Sequence, residues 1–206
     1  MVLGAALLLA APGATGHALG ARQRYLGAEI VVMLGDARRL AARDTPAPQR
    51  RGLRARIGGA LAMLALLIRR ARERNPHLAP VPRPLIDDLR ARYRNADPGT
   101  LIEPLRTLAE RYPFDPAGLL PNAVSAVRLR RARAVHRRLC AACHEHPALD
   151  VARPAFDLFR QAQQMPGREF AARLLTGIRG DAMTSLENPF SDAELAAFGA
   201  LYHGAR

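Results

Sequence analysis

The stretch NAVSAVRLRRARAVHRRLCAACH, residues 122 to 144, carries a helical pattern directly into two cysteines and a histidine. Val124, Val127, Ala134, Val135 and Leu139 fall at helical spacing, so the segment predicts a helix that delivers Cys140, Cys143 and His144 at its end. No other cysteine occurs in the 206 residues. Two thiols separated by two residues can add to the two vinyl groups on one edge of a porphyrin. The following residue then carries its imidazole under the ring, where it can ligate iron. The pentapeptide Cys140-Ala141-Ala142-Cys143-His144 therefore points to covalent attachment of one haem c, with His144 as an iron ligand. Two competing chemistries fit less well. A redox CxxC of the thioredoxin kind belongs in a strand-then-helix unit, and the chain has no β-rich run. A zinc site would want two further ligands at motif spacing, and there is no third cysteine.

The N-terminus suits an exported protein. The first 16 residues carry no charged side chain, and Ala5 to Ala11 form a short apolar run closed by Pro12 and Gly13. Small residues at Ala14, Gly16 and Ala18 offer cleavage sites, so residues 1–18 read as a signal peptide, although one without the basic start such leaders usually have. Covalent haem attachment takes place outside the cytoplasm, and the motif argues independently for a periplasmic or otherwise exported location. Ile57 to Ile68 is the other long apolar run. It is too short for the roughly 20 residues of a membrane span and reads as a buried helix.

Charge is distributed unevenly. Residues 21–139 hold 25 arginines against 10 carboxylates, whereas residues 140–206 hold 6 against 8, and there is no lysine. A formal net charge of +13 attracts anionic partners. An acidic redox protein or an anionic membrane surface suits an exported haem protein. Nucleic acid does not, and only 5% of the residues are aromatic.

The chain is expected to be all-α. A first helix runs from about Tyr25 to Arg43 through Leu26, Ile30, Met33, Leu34, Ala37 and Leu40, and a second from about Arg50 to Arg74. Pro76, Pro80, Pro82 and Pro84 mark an extended connection to a short third helix through Leu85, Ile86, Leu89 and Tyr93. Asp97 and Pro98 open a fourth, which Pro104 should kink or shorten. The proline-bounded stretch from Pro113 to Pro121 divides a helical N-terminal region of unknown role, residues 21–115, from a C-terminal domain, residues 120–206. Beyond the cysteines, Pro154 begins a loop and a short helix, Gly167 to Ile178 form another helix, and Ser191 with Glu194 makes a capping box that starts the last one.

Over about Asn122 to Gly204 the chain resembles the class I cytochrome c family. The resemblance rests on CAACH, Pro154, the REFAARLLTGIRG segment, Met183 and the closing SDAELAAFGALY helix. It implies a mono-haem cytochrome c domain in which His144 and Met183 are the axial ligands. It also implies that the region around Pro154 supports the proximal histidine, and that Phe198 and Tyr202 pack against the haem and the helix before the cysteines. Three positions depart from the family pattern: Ala132 replaces the usual glycine, His136 the usual aromatic, and Glu145 the glycine after the histidine. These departures bear on how tightly the first and last helices of the domain cross.

A Met/His pair raises the potential of iron and suits electron transfer. Met165, His136, His146 and His203 compete with Met183 for the sixth position, and an open site is the remaining alternative. The functional expectation is a one-electron carrier that is not an enzyme. The rival reading is a haem enzyme or gas sensor with an open distal site. A peroxidase-like site would pair a distal histidine with an arginine, and Arg179 near Met183 has no histidine beside it.

Overall fold

The computed structural model describes residues 20–42, 44–95, 97–121, 124–145, 155–177 and 188–204. The expected signal peptide (1–18), His146, Pro154, Ile178, Arg179 and Met183 lie outside these residues. The described chain is helical, as expected: α1 (Ala21–Ala41), α2 (Ala47–Arg74), α3 (Arg83–Arg94), α4 (Ile102–Arg111), α5 (Ala126–Leu139), α6 (Ala141–His144), α7 (Leu158–Gln164), α8 (Gly167–Thr176) and α9 (Asp192–His203). Among the described residues no helix is long and apolar enough to cross a membrane.

Local chemistry accounts for most helix ends. The Ser191 hydroxyl accepts from the Glu194 N–H, and the Glu194 side chain accepts from the Ser191 N–H, completing the expected capping box of α9. Gly177, with φ of 69°, closes α8 in a conformation that disfavours any residue with a Cβ. Of the two expectations for Pro104, a kink or a shortened helix, the second holds. A short 3-10 turn over Pro98–Leu101, capped by Asp97, comes first, and α4 begins only at Ile102. The proline therefore falls in the first turn, where its missing N–H breaks no helical bond.

Two cores form, and α1 belongs to both. Leu26, Ile30 and Met33 join Ile57, Leu64 and Ile68 of α2, Ile86 and Leu89 of α3, and Leu105 and Leu108 of α4. Tyr112 closes that core, its ring buried and its hydroxyl donating to the Pro80 carbonyl at 2.8 Å. On the other side of α1, Ala28 and Val32 join Phe170, Ala171 and Ala172 of α8 and Leu195, Phe198, Leu201 and Tyr202 of α9. The apolar stripe read from the sequence accounts for one side of this helix; the other side is buried as well. Gly27 permits the second contact, since a Cβ there would sit 2.7 Å from the Pro113 carbonyl oxygen. The irregular stretch around Pro113 to Pro121 thus connects two halves that are packed on one shared helix.

A buried charge cluster fastens the same seam. Asp36 of α1 is fully buried and accepts from Arg56 Nε at 2.6 Å and Nη2 at 2.7 Å, and from Arg173 Nη2 at 2.8 Å. Arg173 also reaches Glu169 at 2.7 Å, and Glu169 accepts from Arg39 at 2.8 Å. The cluster therefore ties α1, α2 and α8 together. Burial pushes the Asp36 carboxyl up, but the Arg56 and Arg173 guanidiniums more than offset that and hold it below its ordinary value.

Candidate functional site

Helix α5 begins where Ser125 accepts from the Arg128 N–H at 3.4 Å, and it ends at Leu139 with Cys140 already turning into α6. The next turn is helical: the Cys143 and His144 N–H groups both donate to the Cys140 carbonyl, at 3.2 and 3.0 Å. Positions i, i+3 and i+4 of a helix share one face, so this turn presents two thiols and an imidazole on the same side. Both cysteines are free thiols, Cys140 half-buried and Cys143 exposed.

His144 is oriented by a second contact. Its Nδ1 lies 2.6 Å from the carbonyl oxygen of Phe156, which can only accept, so Nδ1 carries the hydrogen. That leaves Nε2 with the lone pair, the atom that could ligate a metal, since an outer hydrogen bond of this kind fixes the tautomer of a metal-binding histidine. Phe156 stands two residues after Pro154, so the carbonyl comes from the segment that the family resemblance singles out.

Behind Cys140 lies a polar chain for which the sequence gives only a hint. His136 is buried, with its Nδ1 2.9 Å from the Tyr202 hydroxyl and its Nε2 2.9 Å from Glu145 Oε1. A carboxylate accepts, so Nε2 donates and Nδ1 receives the tyrosine proton. The Cys140 thiol lies close enough to the same hydroxyl for the two groups to influence each other's titration. Burial, with the neighbouring Cys140 and Glu145, pushes the Tyr202 phenol far above its ordinary value, and burial likewise pushes the Cys140 thiol up. His136 also fills an aromatic place. Its ring meets Phe159 edge-on at 5.4 Å and Tyr202 at 5.3 Å. His136 is buried because α9 covers α5 at this point, and Tyr202 and Glu145 engage both ring nitrogens. Ala132, in the usual glycine's place, is likewise buried at the α5–α9 contact.

Neither a protein-family model, nor a curated protein, nor a solved structure matches the chain.

The residues weighed against Met183 are differently placed. Met165 is buried in the second core, and its sulfur accepts from Arg39 Nη2 at 3.8 Å, which engages the thioether in the α1 seam. His203 Nδ1 is bonded to the Gly199 carbonyl of its own helix at 2.8 Å. Asn188 Nδ2 donates to the Leu174 carbonyl and, at 3.3 Å, to that of Leu175. A Cβ on Gly177 would lie 3.6 Å from that of Asn188, so the two ends of the segment carrying Met183 are held side by side.

Along α5, ahead of the cysteines, the surface is apolar and basic together. Between α5 and α9 lies an open cavity of about 240 Å3 walled by Ala132, Val135, Phe190 and Phe198. Arg128, Arg130, Arg131, Arg133, Arg137 and Arg138 of α5 are exposed, with Arg131 reaching Glu194 at 3.3 Å. Leu139, next to Cys140, is 68% exposed. Among the described residues no three His, Cys, Asp or Glu side chains are grouped to hold a bare metal ion.

Proposed function

We propose that the chain is an electron-transfer protein carrying one covalently bound haem c, periplasmic or otherwise exported. The observation that carries this reading is the single helical turn bearing Cys140, Cys143 and His144, with His144 Nδ1 fixed on the Phe156 carbonyl and Nε2 left to bind iron. The donor set fits the group: two thiols for two vinyl carbons and one oriented imidazole for the metal. When bound, the haem supplies reversible Fe(III)/Fe(II) cycling.

The chain's own residues set the conditions for that cycling. Cys140 and Cys143 anchor the ring, and His144 holds the proximal position. Met183 is the distal ligand in this reading, since a thioether favours reduced iron and suits a carrier. Phe190 and Phe198 supply apolar wall, while Tyr202, His136 and Glu145 fix the end of α5 against α9. The exposed arginines of α5 steer an acidic redox partner, or an anionic membrane surface, toward the attachment turn.

The direct test replaces Cys140 and Cys143 together by Ala. Haem should then be removable by acidified organic solvent, whereas in the native chain it stays with the protein. Loss of haem from the native protein under the same treatment overturns the proposal.

A further inference from the structure

Away from the cysteines, the α1–α2 turn and the α7–α8 turn face each other across a cleft of about 740 Å3, within the usual size of small-molecule sites. Arg38 and Arg39 of α1 and Gln49 of α2 line one wall; Arg160, Gln161 and Gln164 of α7 line the other. Phe156 and Met165 add apolar surface between them.

The lining carries Arg38, Arg39 and Arg160 against Asp44, Asp157 and Glu169, and of the three arginines only Arg39 is engaged in an ion pair among the described residues. Arg38 and Arg160 are exposed and make no side-chain ion pair among the described residues. Helices α2 and α8 start at the cleft at Pro46 and Pro166 with no side-chain cap, so each turns the positive end of its dipole toward it, although Pro48 of α2 has no N–H and the Glu169 N–H of α8 already bonds the Pro166 carbonyl. The groups that would repel an anion are mostly matched already. Glu169 accepts from Arg39 and Arg173, and Asp157 accepts from the Arg160 N–H as the cap of α7. At the negative end of α1, the Arg39 carbonyl accepts from the Thr45 hydroxyl, and those of Leu40 and Ala42 accept from Arg50. Asp44 remains as the acid at the rim.

We propose that this cleft binds a small organic dianion, a dicarboxylate. One carboxylate sits at Arg38 and the α2 end, the other at Arg160 and the α8 end. The carbon chain crosses Met165 and Phe156, and the three glutamine amides donate to the carboxylate oxygens. Guanidinium is suited to the task because it meets a carboxylate in two parallel hydrogen bonds. This inference does not depend on the haem reading, and either can fail alone.

The test uses the full chain as purified, with succinate as the probe. Calorimetry should show saturable binding of one succinate, and the melting temperature should climb with its concentration at constant ionic strength. Arg38→Ala and Arg160→Ala, both outside the two cores, should each weaken binding about tenfold while leaving the succinate-free melting temperature unchanged. An equal response to sodium chloride, binding of inorganic phosphate in preference to succinate, or an undiminished response in the double variant each overturns the proposal. So does no response to succinate at all.

Discussion

Asp36→Ala attacks the seam between the two halves at its most buried charge. The native carboxylate, fully buried, accepts hydrogen bonds from two nitrogens of Arg56 and one of Arg173, at 2.6 to 2.8 Å. Removing one member of a buried ion pair typically costs about 3 to 5 kcal/mol, because the partner charges stay behind unpaired. Here the lower end applies. The Arg56 side chain is 28% exposed and can take up water, and Arg173 keeps Glu169. For a chain of this size each kcal/mol moves the melting temperature by about 2 to 4 °C, so a loss of about 3 kcal/mol lowers it by about 6 to 12 °C. The acid limb supplies a second readout. A carboxyl whose folded pKa is depressed adds stability that is fully present above its unfolded value, near 3.8, and is lost as pH falls through the folded value. Calorimetric melts from pH 7 down to 2 should therefore show the native and Asp36→Ala proteins converging at low pH. Adding Arg56→Met to the variant should recover part of the loss at neutral pH, since it removes a stranded charge. A cost under about 1 kcal/mol, or parallel pH profiles for the two proteins, would refute the claim that this cluster holds the halves together.

Tyr202→Phe should cost about 1 to 3 kcal/mol in urea unfolding, because it leaves His136 Nδ1 buried without a donor. Met183→Ala should abolish the weak sulfur-to-iron charge-transfer band of the oxidised protein and open the iron to added ligands such as imidazole; survival of the band would reassign the sixth position. Asn188→Ala, which frees the paired ends of the segment around Met183, should speed imidazole binding without removing the haem. Electron transfer to an acidic partner should slow steeply as salt rises past the roughly 10 Å Debye length of 0.1 M, and reversing Arg130, Arg133 and Arg137 to Glu should flatten that slope. A flat native slope would make the basic face of α5 mere surface.

Helix positions were legible wherever punctuation was chemical. Ser191 with Glu194 gave the start of α9, and the helical spacing of apolar residues gave α2 almost from end to end. The first-turn position of Pro104 was not legible, because a 3-10 turn and an α-helical start leave the same residue pattern behind Asp97 and Pro98. The burial of α1 on two sides was also hidden. A stripe of Leu and Ile reports one neighbour, whereas the second contact is made by Val32, which the sequence does not separate from that stripe, and by Gly27, Ala28 and Asp36, whose small or polar side chains give little apolar signal. At the site, Cys140, Cys143 and His144 were readable from spacing alone. Phe156 was not, because it contributes a backbone carbonyl, which any residue type can supply. His136 could have been placed from its position four residues before Cys140, on the side of α5 that also carries Ala132, but nothing in that spacing names Glu145 or Tyr202 as its partners.

The most direct measurement is extraction of the intact chain, produced together with haem-attachment machinery, by acidified organic solvent, followed by a visible spectrum of the protein fraction. Covalent attachment through Cys140 and Cys143 requires that the colour stay with the protein, and low-spin bands in both oxidation states would add that the iron has two axial ligands. Haem recovered in the organic phase, or a protein that never acquires haem, would contradict the proposed function.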